Sequence, residues 1–446
     1  MLFFFEQSYF IILLVRTTSQ QINISINTRG DFLKLEILEH PVNEVLFGDR
    51  SKYSNGILIL NKEEFSRAIL SGTYGDYKLE IQIARPKEDV RIIHITDVIK
   101  PSYKPNGPAF PGWTGSTDCC GSEITHQLQN VCITQCFSYS GIQEGIMDMK
   151  GKETSYVFFS QLINIVIRPE LLTEKIEKKD VASDLVRMNT QAAEYTASLA
   201  ADSSNAAGTL FDTDNATISG LPNIGYAYYI QAQGPLRNVY IWGKDCTKMK
   251  PCMISPVKVL DGAIVSGNYI IACQKNPTYF HQENPVIRSL LARDKKELNF
   301  AGVIVSTESS ALNDKRENAQ RIAEIAKEKG MDGIVITQEG GGHADVDLML
   351  ACDACESAGI RVVLIANEIA GPEGNLPPLV SMSSKADAII TTGNNDEILH
   401  FPETASSLGG TVMGTRDASE EFDSPLSILY TATNQLGVSK MTTKQF

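Results

Sequence analysis

An α/β chain is what the sequence predicts, with a mixed, β-rich N-terminal part and a C-terminal parallel sheet of βαβ units. Three observations carry that reading. Short alternating apolar segments crowd residues 31–100, aliphatic runs alternate with amphipathic helical segments from Phe300 onward, and turn-forming residues punctuate both. At 446 residues the chain exceeds one core. The expected organisation is a non-native or disordered extension over 1–30, a mixed β-rich domain over 31–260 and an α/β domain over 261–446.

In the first half, strands are expected at 32–38, 56–60, 77–84 and 90–95, with one short helix at 62–70, and the region reads as mixed antiparallel. Pro101, Pro105, Pro108 and Pro111 exclude a helix or central strand and mark a linker or wrapping loop. Buried strands follow at 131–134, 142–149 and 157–167. A helix is expected over 180–201, starting near Ser183, with Val181, Leu185, Met188 and Ala192 on one face. The polar stretch 202–220 reads as a mobile surface segment.

The second half alternates more regularly. Strands at 300–306, 333–337, 360–366 and 387–392 bracket helices at 314–329 and 345–358, each helix followed by Gly330 or Gly359. In such sheets ligands sit at the carboxyl ends of the strands. Gly340-Gly341-Gly342 lies at one such end but matches neither dinucleotide nor Walker spacing. Glu339 and His343 flank it, a carboxylate and an imidazole suited to acid and base work and counted as substrate-binding candidates. Glu144 and Asp148, acids in apolar company, are two more.

Composition narrows the partners. Against 53 Asp and Glu stand 40 Lys and Arg, a net charge of −13 with no basic cluster, which argues against nucleic acid. The apolar runs before Arg16 are broken by Glu6, Gln7 and Ser8 and are too short to span a bilayer, so no membrane association is expected. Nine cysteines in so long a chain do not make a disulfide scaffold, and a reducing cytoplasm fits them. Cys119, Cys120, Cys132 and Cys136, near His126, carry ligand types for zinc or iron and sulfur. Their spacing lacks a Cys-x-x-Cys pair, so the expected metal complement is none, with these four as the weak candidates.

One stretch organises the rest. In Val259-Leu-Asp-Gly-Ala-Ile-Val-Ser-Gly-Asn268 and the following Tyr269, Ser266, Gly267 and Asn268 interrupt two apolar runs, predicting a sharp bend between two buried strands, 263–265 and 270–272. Together with Gly141-Ile-Gln-Glu-Gly-Ile-Met-Asp-Met149, Ala272-Cys-Gln-Lys-Asn-Pro-Thr-Tyr279 and Asn284-Pro285, this stretch resembles the glycine, sarcosine and betaine reductase family, specifically the precursor of the α and β subunits of component B.

The resemblance implies a precursor that cleaves itself at the junction, between Asn268 and the next residue, where a cysteine becomes a pyruvoyl group holding the substrate amine. It also implies partners: the selenocysteine-containing subunit of component B, a small selenoprotein carrier and an acetyl-transferring component. The substrate would be a small amine or amino acid. Here the cysteine position is Tyr269, whose phenol oxygen cannot reach the preceding carbonyl through a five-membered ring, so no pyruvoyl cofactor is expected there. Ser266 and Cys273 are nearby alternative nucleophiles. Three readings stand: a non-catalytic scaffold or regulatory paralogue; a working component B subunit without a Schiff base, in which the Tyr269 ring could hold a quaternary amine; and a thiol or metal redox protein using the Cys119 region.

Overall fold

The computed structural model describes residues 33–138, 145–172, 176–213, 216–231, 239–267, 275–438 and 441–443. The extension expected over 1–30 lies outside them, as does the expected strand 270–272. The chain is a mixed α/β protein. Among the described residues, no helix is long and apolar enough to cross a membrane.

The second half builds around a seven-stranded sheet in the order Cys252–Ile254, Asn299–Thr307, Asn223–Ile230, Gly333–Thr337, Arg361–Glu368, Ile389–Asn394 and Thr442–Thr443. The inner strands run parallel and the two short outer ones antiparallel. Helices Leu312–Glu328 and His343–Ser357 supply the crossovers and pack on one face, over Tyr229, Ile304, Ile336 and Leu364. The expected βαβ units are therefore present, but the sheet takes an inner strand, Asn223–Ile230, from before residue 260. Asn223–Ile230 has no counterpart among the sequence expectations, and its place in the sheet is set by partners from far along the chain. Counting the parallel strands in chain order, the third lies beside the first, on the side away from the second. That order puts the topological switch point between Asn223–Ile230 and Gly333–Thr337.

Among the described residues the first half holds a small sheet, Glu44–Phe47, Ile57–Leu60, Lys52–Ser54, and two larger ones. One runs Gly145–Asp148, Val90–Ile99, Val131–Cys136, Ile163–Leu171, Tyr77–Ala84, with Ser406–Leu408 pairing Val90–Ile99 from the far end of the chain. The other runs Ala207–Thr213, Leu33–Pro41, Glu123–Gln129, Ser102–Tyr103. The mixed antiparallel reading of the region up to residue 100 holds for Tyr77–Ala84 against Ile163–Leu171 and Val90–Ile99 against Val131–Cys136, and is corrected where Leu33–Pro41 pairs Glu123–Gln129 and Glu44–Phe47 pairs Ile57–Leu60 in parallel. The described residues of the stretch 202–220 lie at the surface as expected, but they are not without regular structure. Ala207–Thr213 pairs along Leu33–Pro41 and takes up backbone groups that an edge strand would leave open. Helix Lys178–Ser198 buries the expected Val181, Leu185, Met188 and Ala192, and begins ahead of Ser183.

Arg91, paired with Asp148, fastens the halves together. Arg91, fully buried, donates from Nε and Nη2 to the two oxygens of Asp148 at 2.6 and 2.9 Å. Its remaining donors reach the carbonyls of Ala418, Glu420 and Pro402. All five guanidinium donors are thus used, and the segment 402–420 is held against Val90–Ile99. Burial raises the Asp148 carboxyl while the Arg91 contact works against that shift. Both oxygens of this expected substrate-binding residue are committed to a structural ion pair. Asp148→Ala would leave a buried guanidinium without its counter-charge, and we expect it to cost about 3–5 kcal/mol, read as a lower urea midpoint.

Candidate functional site

The junction begins at helical turn Pro256–Lys258 and bends through Val259–Ala263, where Asp261 has φ −98° and ψ 33° and Gly262 has φ 77°. A Cβ on Gly262 would stand 2.1 Å from the Ala109 carbonyl oxygen, so the bend requires glycine. Asp261 is buried and holds the bend in place. It accepts from Lys104 Nζ at 2.6 Å, the Gly121 amide at 2.7 Å and Thr125 Oγ1 at 2.6 Å. Lys104 spends its other donors on the carbonyls of Cys119 and Ser122.

The Cys119 region therefore packs around the junction through its backbone. Cys120 and Cys132 are buried, and burial pushes both thiols up to about 12. Burial likewise raises the Cys136 thiol, while Cys119 is half-exposed. Among the described residues, no three His, Cys, Asp or Glu side chains group to hold a metal ion.

Past the bend, strand Ile264–Ser266 pairs with Val239–Ile241. Asn268, Tyr269 and Cys273 lie outside the described residues, as does Glu144. The two flanks of the junction meet at Thr278. Its Oγ1 sits 3.0 Å from both N and O of Ser266 and 2.7 Å from Asp97 Oδ2. Asp97 also accepts from the Thr278 amide and from Asn189 Nδ2, both at 2.9 Å. Burial pushes this carboxyl up to about 7, against the pull of those bonds.

The returning flank enters the switch point of the parallel sheet. Lys275 and Asn276 are buried there, with Tyr228, His281 and Glu339, each fully enclosed. Glu339 Oε2 accepts from the Gln231 amide at 2.9 Å and Oε1 from Tyr228 Oη at 3.2 Å, bridging the ends of Asn223–Ile230 and Gly333–Thr337. Tyr228 Oη also lies 2.8 Å from Asn276 Nδ2 and 3.0 Å from His281 Nδ1. His281 Nε2 stands 3.9 Å from Glu339 Oε1.

Electrostatics follow from this enclosure. Burial pushes the Glu339 carboxyl up to about 7, against the Gln231 bond and the Lys275 charge. Burial and then the Lys275 charge push the His281 imidazole down to about 3. Residues 430–436 cover the crevice, all of them buried. Gln435 Nε2 donates to the Gly340 carbonyl at 2.9 Å, Thr392 Oγ1 to the Thr433 carbonyl at 3.1 Å, and Asn434 Nδ2 to Asn276 Oδ1.

Glu339 is thus where a strand-end acid was expected, but the imidazole beside it is His281. His343 is exposed at the start of helix His343–Ser357, and its carbonyl accepts from Lys315. Sequence reading missed Tyr228, His281, Asn276 and Asp97. The alternation that puts Tyr226 and Tyr228 on one strand face was the available signal.

Because the folded carboxyl of Glu339 is raised from 4.5 to about 7, its proton stabilises the fold fully below the lower value, and that contribution is lost as pH rises through the upper one. Glu339→Gln should therefore gain stability relative to the parent across that window, by on the order of 3 kcal/mol, measured by melts at its acid and alkaline ends.

Comparison with known proteins gives this geometry a family. Residues 33–444 match the family model for glycine/sarcosine/betaine reductase component B subunits. The chain is 33% identical over 432 residues to the glycine reductase complex component B subunits alpha and beta of Peptoclostridium acidaminophilum, covering 93% of this chain and 100% of the relative. It is 32% identical over 431 residues to the sarcosine reductase complex component B subunit alpha of that organism, covering 92% and 100%. To its betaine reductase complex component B subunit alpha the identity is 31% over 391 residues, covering 84% and 88%. No solved structure matches. The chain belongs to the glycine/sarcosine/betaine reductase component B subunit family.

Proposed function

We propose that this chain serves as a component B subunit that binds a small amino acid or N-methylated amine in the switch-point crevice for reductive C–N cleavage, without a pyruvoyl group. The observation that carries the reading is the enclosed set Glu339, Tyr228, His281 and Lys275 beside the junction. Lys275 supplies positive charge for a substrate carboxylate. Glu339, held near neutrality by burial, is suited to give the departing amine its proton. Residues 430–436 exclude water from the pair.

Tyr269 does not fit a pyruvoyl group. It lacks a β-nucleophile to attack the Asn268 carbonyl. Family membership supports work in a reductase complex. The proposed partners are the selenocysteine-containing subunit of component B, the small selenoprotein carrier and the acetyl-transferring component, in a reducing cytoplasm. The Tyr269 replacement and the covered crevice also favour a second reading, a paralogue kept for assembly. The thiol-redox reading draws no support from Cys120, Cys132 and Cys136, whose burial opposes thiolate formation.

Two measurements test this. Intact mass and a denaturing gel should return one full-length species; fragments beginning near the junction would refute the uncleaved reading. Glycine, sarcosine or betaine should raise the melting midpoint by linkage. The assembly reading requires that none does.

A further inference from the structure

The proton positions in the crevice follow from one backbone amide. Leu436 N–H can only donate, and it donates to Asn434 Oδ1 at 3.0 Å. Asn434 Nδ2 must then donate to Asn276 Oδ1, which turns Asn276 Nδ2 toward Tyr228 Oη as a donor at 2.8 Å. The single proton of Tyr228 has two remaining takers, Glu339 Oε1 at 3.2 Å and His281 Nδ1 at 3.0 Å. With Glu339 ionised, the hydroxyl donates to the carboxylate and accepts from His281 Nδ1–H. His281 Nε2 then carries a bare lone pair. That atom is fully buried and has no hydrogen-bond partner among the described residues.

Two acceptors, His281 Nε2 and Glu339 Oε1, thus face each other 3.9 Å apart with no donor shared between them among the described residues. A nitrogen bearing two N–H bonds can give one to each; a nitrogen bearing none leaves both unsatisfied and must be stripped of water to enter. Hydrogen-bonding sites reject analogues that lack the matching group far more sharply than apolar pockets reject a change of size.

Resting on the reading of this crevice as an amine site, we infer that His281 determines specificity, admitting primary and secondary amines such as glycine and sarcosine and refusing a quaternary amine such as betaine. The imidazole is kept neutral by burial, and so remains an acceptor. Protonating Glu339 reverses the arrangement. Its O–H donates to Tyr228, Tyr228 donates to His281 Nδ1, and Nε2 becomes a donor. The charged and titratable groups facing Glu339 are Lys275, Tyr228, Tyr226, His281 and Cys246. Burial raises Tyr226, Tyr228 and Cys246 and lowers His281, so none of these four titrates alongside Glu339.

The test is calorimetric titration of the full chain with glycine, sarcosine and betaine, at pH values on both sides of neutrality. Glycine and sarcosine should bind, more tightly on the alkaline side, and betaine should be weaker by about tenfold or more. His281→Leu should lose that preference, while His281→Gln, which keeps an acceptor, should retain glycine binding within a few fold. Betaine binding the parent protein as tightly as glycine overturns the inference alone, and this ranking needs no variant to fold. Unchanged glycine affinity in a folded His281→Leu protein overturns it too. Failure of all three compounds to bind the parent protein sinks the amine-site reading and the inference with it.

Discussion

A carboxylate sealed from water must find its donors inside the protein. Asp97, Asp148, Asp261 and Glu339 are all sealed in this way, and each collects donors from elements distant in sequence. Asp261 draws on Lys104, Gly121 and Thr125; Asp97 on Asn189 and Thr278; Asp148 on Arg91; Glu339 on Gln231 and Tyr228. The requirement to satisfy them fixes how the two halves of the chain meet. It also fixes the junction, which is anchored by Asp261 within its bend and by the contacts of Asp97 with Thr278 after it.

The same enclosure gives the crevice its chemistry. A carboxyl raised toward neutrality and an imidazole lowered far from it are the opposite responses that one dry environment imposes on an acid and a base. Tyr228 joins them through a single hydroxyl, so the protonation of one sets the tautomer of the other. The cover formed by residues 430–436 belongs to this arrangement, because the Leu436 amide starts the chain of donors that ends at Tyr228.

Local periodicity carried far in the sequence. Strands Tyr77–Ala84 and Gly333–Thr337 and the buried face of helix Lys178–Ser198 were legible because each depends on its own pattern of side chains. Pairing was less legible. Ala207–Thr213 becomes a strand only because Leu33–Pro41 lies beside it, and Asn223–Ile230 becomes an inner strand only because Asn299–Thr307 and Gly333–Thr337 flank it. At the site, Glu339 could be read from its strand-end position. Its imidazole could not: His343 is near in sequence, while His281 is brought in by helix Thr278–Gln282. The four cysteines looked like ligands by type, and the fold uses two of them as packing in Val131–Cys136 and the backbone of Cys119 as an acceptor for Lys104.

The placement of Asn223–Ile230 bears on what a cut at the junction could do. That strand precedes the junction, yet it is hydrogen-bonded on one side to Asn299–Thr307 and on the other to Gly333–Thr337, both of which follow it. Two fragments produced by cleavage there would share one continuous sheet and could not part without unfolding it. Cutting the backbone at this point would make two chains in the covalent sense while leaving a single folded body, held together by the ladder that was formed before the cut.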